Sequence, residues 1–156
     1  MTEHSASKTT RPYVLQPDEG ELLDALRLRL VATDSLTAGA LFAAVCVNPE
    51  PGGPPLHTHH SHDEFYLVMQ GRYRFRIEGR DHEGGPGTFA YVPRDNSHTF
   101  ASVGPDEGRL LAGSFPSLED FLHQMADLGD RGAGRDEYVK LFQDFDSEID
   151  GPPLLG

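Results

Sequence analysis

Residues 57–77 read HTHHSHDEFYLVMQGRYRFRI, and this stretch decides the fold. Its second half alternates strictly: Tyr73, Phe75 and Ile77 face one way, and Arg72, Arg74 and Arg76 the other. A period of two marks a half-buried strand. Residues 64–69 are a strand by their aromatic and β-branched content, and Gln70-Gly71 predicts a turn that makes the two runs a hairpin. Its first half places His57, His59, His60 and His62 within six residues, followed at once by Asp63 and Glu64. Residues i and i+2 share one face of a strand, so His57 and His59 can meet one ion, whereas on a helix they would diverge. Neutral imidazole and carboxylate are ligands that borderline divalent cations accept.

Working outward, residues 26–32 alternate Leu26, Leu28, Leu30 and Ala32 with Arg27, Arg29 and Val31, a further half-buried strand. Residues 41–47 are apolar on both faces and predict a deeply buried one. The run 48–55, NPEPGGPP, cannot supply ladder donors at its prolines and reads as a loop. Residues 78–81 and 83–87 read as turns; 88–92, 97–103 and 110–112 read as strands. After Pro116 the period becomes helical, with Leu118, Phe121, Leu122, Met125 and Leu128 on one face, Ser117 as N-cap, and Glu119 and Asp120 in the first turn. A second helix is expected over 135–142, then an extended tail at 152–154. Many short strands followed by helices describe an all-β barrel or sandwich with short C-terminal helices. The expected organisation is a flexible arm over 1–12, a barrel over 13–115, and a helical appendix and tail over 116–156.

The 156 residues suffice for one core of ordinary size. Thirteen basic against 25 acidic residues leave a net charge of −12, which repels nucleic acid and anionic membranes. The single cysteine, Cys46, allows no intrachain disulfide. The first residues contain no apolar stretch resembling a signal peptide, and no run approaches the roughly 20 apolar residues of a membrane span. A cytoplasmic protein is the expectation.

Geometry selects among the histidines. His60 falls on the face opposite His57 and His59, whereas Glu64 begins the next extended run and can fold back onto the ion. His98 is the best fourth ligand, because it opens a strand after a Pro-containing turn. His4, His82 and His123 have no comparable context. A histidine-rich surface loop would give the same density, but would not add a carboxylate and a distant His-bearing strand. His60, His62 and Asp63 read as rim or supporting residues, with His62 the reserve should Glu64 point away. Tyr66, Tyr73, Phe75 and Phe100 are candidates to line a substrate pocket, although inward aromatic residues of strands more often pack a core.

At these residues the chain resembles the cupins. His57-Thr58-His59, four residues, Glu64, six residues and Gly71 match the first cupin motif, with Pro51 at the place of its leading glycine. Gly87, Pro93 and His98 match the second, with Asp95 in place of a glycine and Ser102 in place of an asparagine. The resemblance covers residues 40–112 closely and implies a double-stranded β-helix, the jelly-roll barrel, holding one divalent metal ion on His57, His59, Glu64 and His98. The donor set suits Fe, Mn, Ni, Co or Zn without choosing among them.

Resemblance to quercetin 2,3-dioxygenase-like members implies a dioxygenase acting on a small aromatic, enol or polyketide-like substrate. A non-redox isomerase or cyclase, and a binding protein without catalysis, remain open. Glu64 has a second possible task, as a base toward a substrate hydroxyl. A homodimer is expected from the apolar run 41–47 and a strand at 13–15, whose edges a second copy would cover.

Overall fold

The computed structural model describes residues 10–156; His4 and most of the expected N-terminal arm lie outside them. The strands are β1 (Leu22–Leu23), β2 (Leu28–Ala32), β3 (Phe42–Asn48), β4 (Pro55–His59), β5 (Asp63–Gln70), β6 (Tyr73–Ile77), β7 (Arg80–Gly84), β8 (Phe89–Val92), β9 (His98–Ser102), β10 (Gly108–Phe115) and β11 (Ser147–Pro153). The helices are α1 (Asp34–Thr37), α2 (Glu119–Asp130) and α3 (Arg135–Asp144). Two antiparallel sheets result, ordered β1-β2-β3-β10-β5-β8 and β11-β4-β9-β6-β7. Their facing sides form one core, with Leu30, Phe42, Ala44, Tyr66, Val68 and Leu110 meeting Tyr73 and Phe75. This is the jelly-roll expected from the sequence.

Several local readings change. Residues 64–69 and 72–77 are not a hairpin, because β5 pairs with β8 and β10, whereas β6 pairs with β7 and β9. The chain turns a corner between the sheets at Gly71, whose φ is 75°; a Cβ there would stand 2.7 Å from the Glu107 carbonyl oxygen. The hairpin partner of β6 is β7, which the sequence presents as turns because RDHEG has no apolar residue. Glu78 and Gly79, both at positive φ, make the two-residue connection that such a hairpin prefers. Across it Arg74 pairs with Glu83 at 3.1 Å and Arg76 with Asp81 at 2.7 Å. The arginine row is thus matched by an acidic strand.

The strand expected from residue 26 starts at Leu28, since Asp24–Leu26 form a single 3-10 turn and Arg27 is left-handed at φ 53°. Residues 13–15 form no strand; the Tyr13 hydroxyl donates to the Val31 carbonyl at 2.7 Å, and Val14 is exposed. The apolar run of β3 is covered within the chain, between β2 and β10.

The extended tail is a sheet strand, for β11 pairs with β4 along its length. Helices α2 and α3 pack a second apolar cluster of Leu118, Phe121, Leu128, Leu141 and Phe142 against this end. The N-cap of α2 is Leu118 rather than the expected Ser117, whose hydroxyl nonetheless accepts the Glu119 N–H at 3.2 Å.

Leu110 is fully buried at the centre of the core, on β10 between β3 and β5. Leu110→Ala is expected to lower unfolding stability by about 2–5 kcal/mol, read by urea denaturation, because the removed side chain leaves a cavity in the core between the two sheets.

Candidate metal centre

Strand alternation aims His57 and His59 of β4 inward, and β9 brings His98 directly opposite His57 in the ladder. Glu64 enters from β5 of the other sheet. One ligand atom from each of these four residues lies within 4.8 Å of all the others. His59 Nε2 is 2.8 Å from Glu64 Oε1, and His98 Nε2 is 3.3 Å from Glu64 Oε2. All four residues are buried, between 2% and 7% exposed.

The far side of each ring fixes what the near side offers. His57 Nδ1–H donates to the Pro55 carbonyl at 2.7 Å, and His98 Nδ1–H to the Asn96 carbonyl at 2.9 Å. The Ser147 hydroxyl donates to the Phe145 carbonyl at 3.0 Å, so at 2.6 Å its oxygen accepts from His59 Nδ1–H. With Nδ1 carrying the proton, each neutral ring presents a bare Nε2. Three lone pairs and a carboxylate then converge in a water-poor space, which is repulsive unless a cation sits among them. The donor set therefore fits a divalent metal ion.

The electrostatics agree. Burial, then His98 and His59, push His57 down to about 3, so it stays neutral and able to ligate. Burial alone would raise Glu64, but positive charge on the facing imidazoles outweighs it and holds the carboxylate well below its usual range, and Glu64 in turn raises His98 against its burial; the cluster therefore calls for a cation, a proton or a metal ion, between carboxylate and rings. Burial and the Glu64 charge push the Tyr66 phenol well up, so it remains a neutral donor to Glu64 Oε2.

Glu64, His57 and His59 open onto a cavity of about 480 Å³. Its walls are mostly apolar, including Leu26, Phe42, Phe100, Leu122 and Met125. Of the four aromatic candidates, Tyr66 and Phe100 line this cavity. Tyr73 and Phe75 do not: they pack the core, and the Tyr73 hydroxyl is spent on Asn48 Oδ1 at 2.8 Å. Cys46 also lines the cavity, with its thiol pushed up to about 11 by burial, and so serves as wall.

The remaining histidines separate as their faces predict. His60 pairs with Asp95 at 2.6 Å and Glu148 at 3.4 Å on the rim. The His62 ring centre is 6.2 Å from that of His59, and its buried Nδ1 has no partner among the described residues. His82 is exposed on β7, and His123 lies near Glu119 and Glu21 on the surface. Asp63 binds Arg94.

At the departures from the motif, Asp95 adopts φ 70°, the left-handed conformation a glycine would supply. Gly53, two residues after Pro51, takes the close approach, since a Cβ there would stand 1.9 Å from the Phe100 carbonyl oxygen. Sequence reasoning missed Ser147, Phe121 and Phe142. The Phe142 ring lies parallel to His59, its centre 6.3 Å away, and Phe121 meets His59 edge-on at 5.7 Å. Both phenylalanines sit at helical core spacing and gave no other signal.

A family profile described as "Cupin domain" matches residues 44–113, the stretch that carries all four converging residues. Residues 44–113 are thus similar to a cupin domain. The chain is 29% identical over 102 residues to the quercetin 2,3-dioxygenase of Bacillus subtilis; the alignment covers 64% of the chain and 30% of that protein. The chain thus spans about a third of that relative's length.

Among solved structures, it resembles an RmlC-like cupin from Shewanella frigidimarina at TM-score 0.57 and 20% identity, covering 71% of this chain and 96% of that one. It also resembles a cupin protein from Bacteroides fragilis at TM-score 0.53 and 16% identity, covering 69% and 85%. These structural likenesses establish the fold. No helix among the described residues is long and apolar enough to cross a membrane.

Proposed function

We propose that this protein holds one divalent metal ion on His57, His59, Glu64 and His98 and acts as a dioxygenase on a small aromatic, enol or polyketide-like substrate. The observation that carries the reading is the convergence of four buried donors at the edge of an apolar cavity of about 480 Å³. That volume falls in the range of small-molecule sites. The 29% identity to a quercetin 2,3-dioxygenase supports the choice of reaction. A divalent ion there would supply Lewis acidity toward an enol or carbonyl oxygen and, if redox-active, an electron path to O2.

The chain's own residues do the rest. Leu26, Phe42, Leu122 and Met125 exclude water and take up an apolar ring. Glu64, whose Oε2 accepts the Tyr66 hydroxyl, takes up the proton of a substrate hydroxyl. The test is an oxygen-electrode screen of metal-loaded protein against flavonols and enols. Metal-dependent O2 uptake that consumes one of them supports the reading.

The carboxylate–phenol pair at the cavity wall favours a second reading, a non-redox isomerase or cyclase in which Glu64 moves a proton. Turnover under strict exclusion of O2 would select it. Tight binding of such compounds without turnover would instead assign a ligand-binding role.

A homodimer belongs to the same reading. Phe89 and Tyr91 are 60% and 48% exposed on β8, the edge strand of the six-stranded sheet, beside the exposed Met69. An uncovered apolar edge is an association site. Light scattering at micromolar concentration is expected to give twice the chain mass of 17.1 kDa, and the single-chain mass would overturn the dimer.

A further inference from the structure

The three histidines are not held alike. His57 and His98 each bond a carbonyl two residues earlier, in Pro55 and Asn96, so their orientation is written into their own strands. His59 depends on Ser147, 88 residues later and outside the span of the cupin match.

The dependence extends to the strand. β4 pairs with β9 only at His57 and His98, whereas its other edge pairs with β11, where Ser147 faces His59 and Ile149 faces His57. A second tie, from the Thr58 hydroxyl to Asp150 Oδ2 at 2.6 Å, fastens the same strands without touching a ligand. Ser147 is 5% exposed and His59 3%, so water has little access to replace the hydroxyl. Just before β11, α3 supplies Phe142, which is parallel to the His59 ring within 8° and edge-on to His57 at 5.8 Å.

We propose that Ser147 is a positioning residue for His59, and that the C-terminal strand and metal binding are thermodynamically linked through it. This rests on the metal assignment above. The Ser147 hydroxyl accepts from Nδ1–H, keeps Nε2 bare and aims it at the other donors. Removing it leaves a buried N–H without an acceptor and frees the ring to change tautomer or rotate. Linkage is reciprocal: if a docked β11 tightens metal binding, bound metal must tighten β11.

The test uses the full chain, stripped of metal and titrated with Co(II), with affinity and the visible spectrum both read. Ser147→Ala is expected to weaken Co(II) binding roughly 10- to 100-fold and to shift the spectrum. Ser147→Thr, which keeps the hydroxyl in a strand-favouring residue, is expected to restore both. Thr58→Val is expected to lower the melting temperature while retaining the parental spectrum. In the parent protein Co(II) should slow amide exchange over residues 147–153, and by less in Ser147→Ala.

Parental affinity and spectrum in a folded Ser147→Ala protein would overturn the inference, as would failure of Ser147→Thr to recover either. Exchange over 147–153 that ignores Co(II) would overturn the linkage. If the parent binds Co(II) and His98→Ala does not, such results strike this inference alone. If the parent itself fails to bind, the metal assignment falls with it.

Discussion

Alanine at His98 or at His59 is expected to strip most of the metal from the purified protein, by elemental analysis and by Co(II) titration. The loss should exceed the roughly 10- to 100-fold that removing an outer hydrogen-bond partner causes, because each substitution deletes a donor atom itself. His98 arrives on β9, the strand across from His57, and its Nε2 stands 3.3 Å from Glu64 Oε2. His59 Nε2 stands 2.8 Å from Glu64 Oε1. With either ring gone, three of the four converging donors remain. His62 is the natural substitute, but its ring centre is 6.2 Å from that of His59 and it comes from the turn beyond β4 rather than from the strand. His57→Ala should behave like the other two. Full metal content in both the His59 and the His98 variant would sink the assignment of the centre.

The convergence of the four donors was legible in the sequence because most of it is local. The two-residue spacing of His57 and His59 survives any arrangement that keeps β4 extended, and Glu64 follows within one turn. His98 required a guess about a distant strand, and its position after a Pro-containing turn supplied it.

What stayed hidden was set by partners elsewhere in the chain. Gln70-Gly71 has turn chemistry, but the same residues serve a hairpin or a corner between sheets, and the choice lies in what β10 does beside β5. β7 has no hydrophobic pattern, since it covers an edge and answers the arginines of β6 with carboxylates. Nothing marks Ser147 among the serines; its role exists only because β11 returns to β4 in one register. Tyr73 and Phe75 were placed on the inward face, and inward they are, but the core claims them before the cavity does.

Glu64→Gln separates holding the metal from moving a proton. The amide has nearly the shape of the carboxylate, so the fold should persist, with the melting temperature of the metal-free protein close to that of the parent. The site loses its carboxylate charge, and the –NH2 group either hydrogen-bonds a bare imidazole nitrogen, engaging a lone pair the metal needs, or meets the Tyr66 hydroxyl, which donates to Glu64 Oε2. Metal affinity should fall as a result.

Turnover, measured at metal concentrations that fill the site, should fall further, by roughly 10²- to 10⁴-fold, the range a positioned general base contributes. Glu64→Asp completes the argument, because it keeps the charge but draws the oxygens back from the ligand cluster. If Glu64 serves only as a ligand, turnover per bound metal would be parental in the glutamine variant whenever the site is full, and the base role would be lost. If it is the base, both variants stay slow at full occupancy, and raising the metal concentration rescues neither.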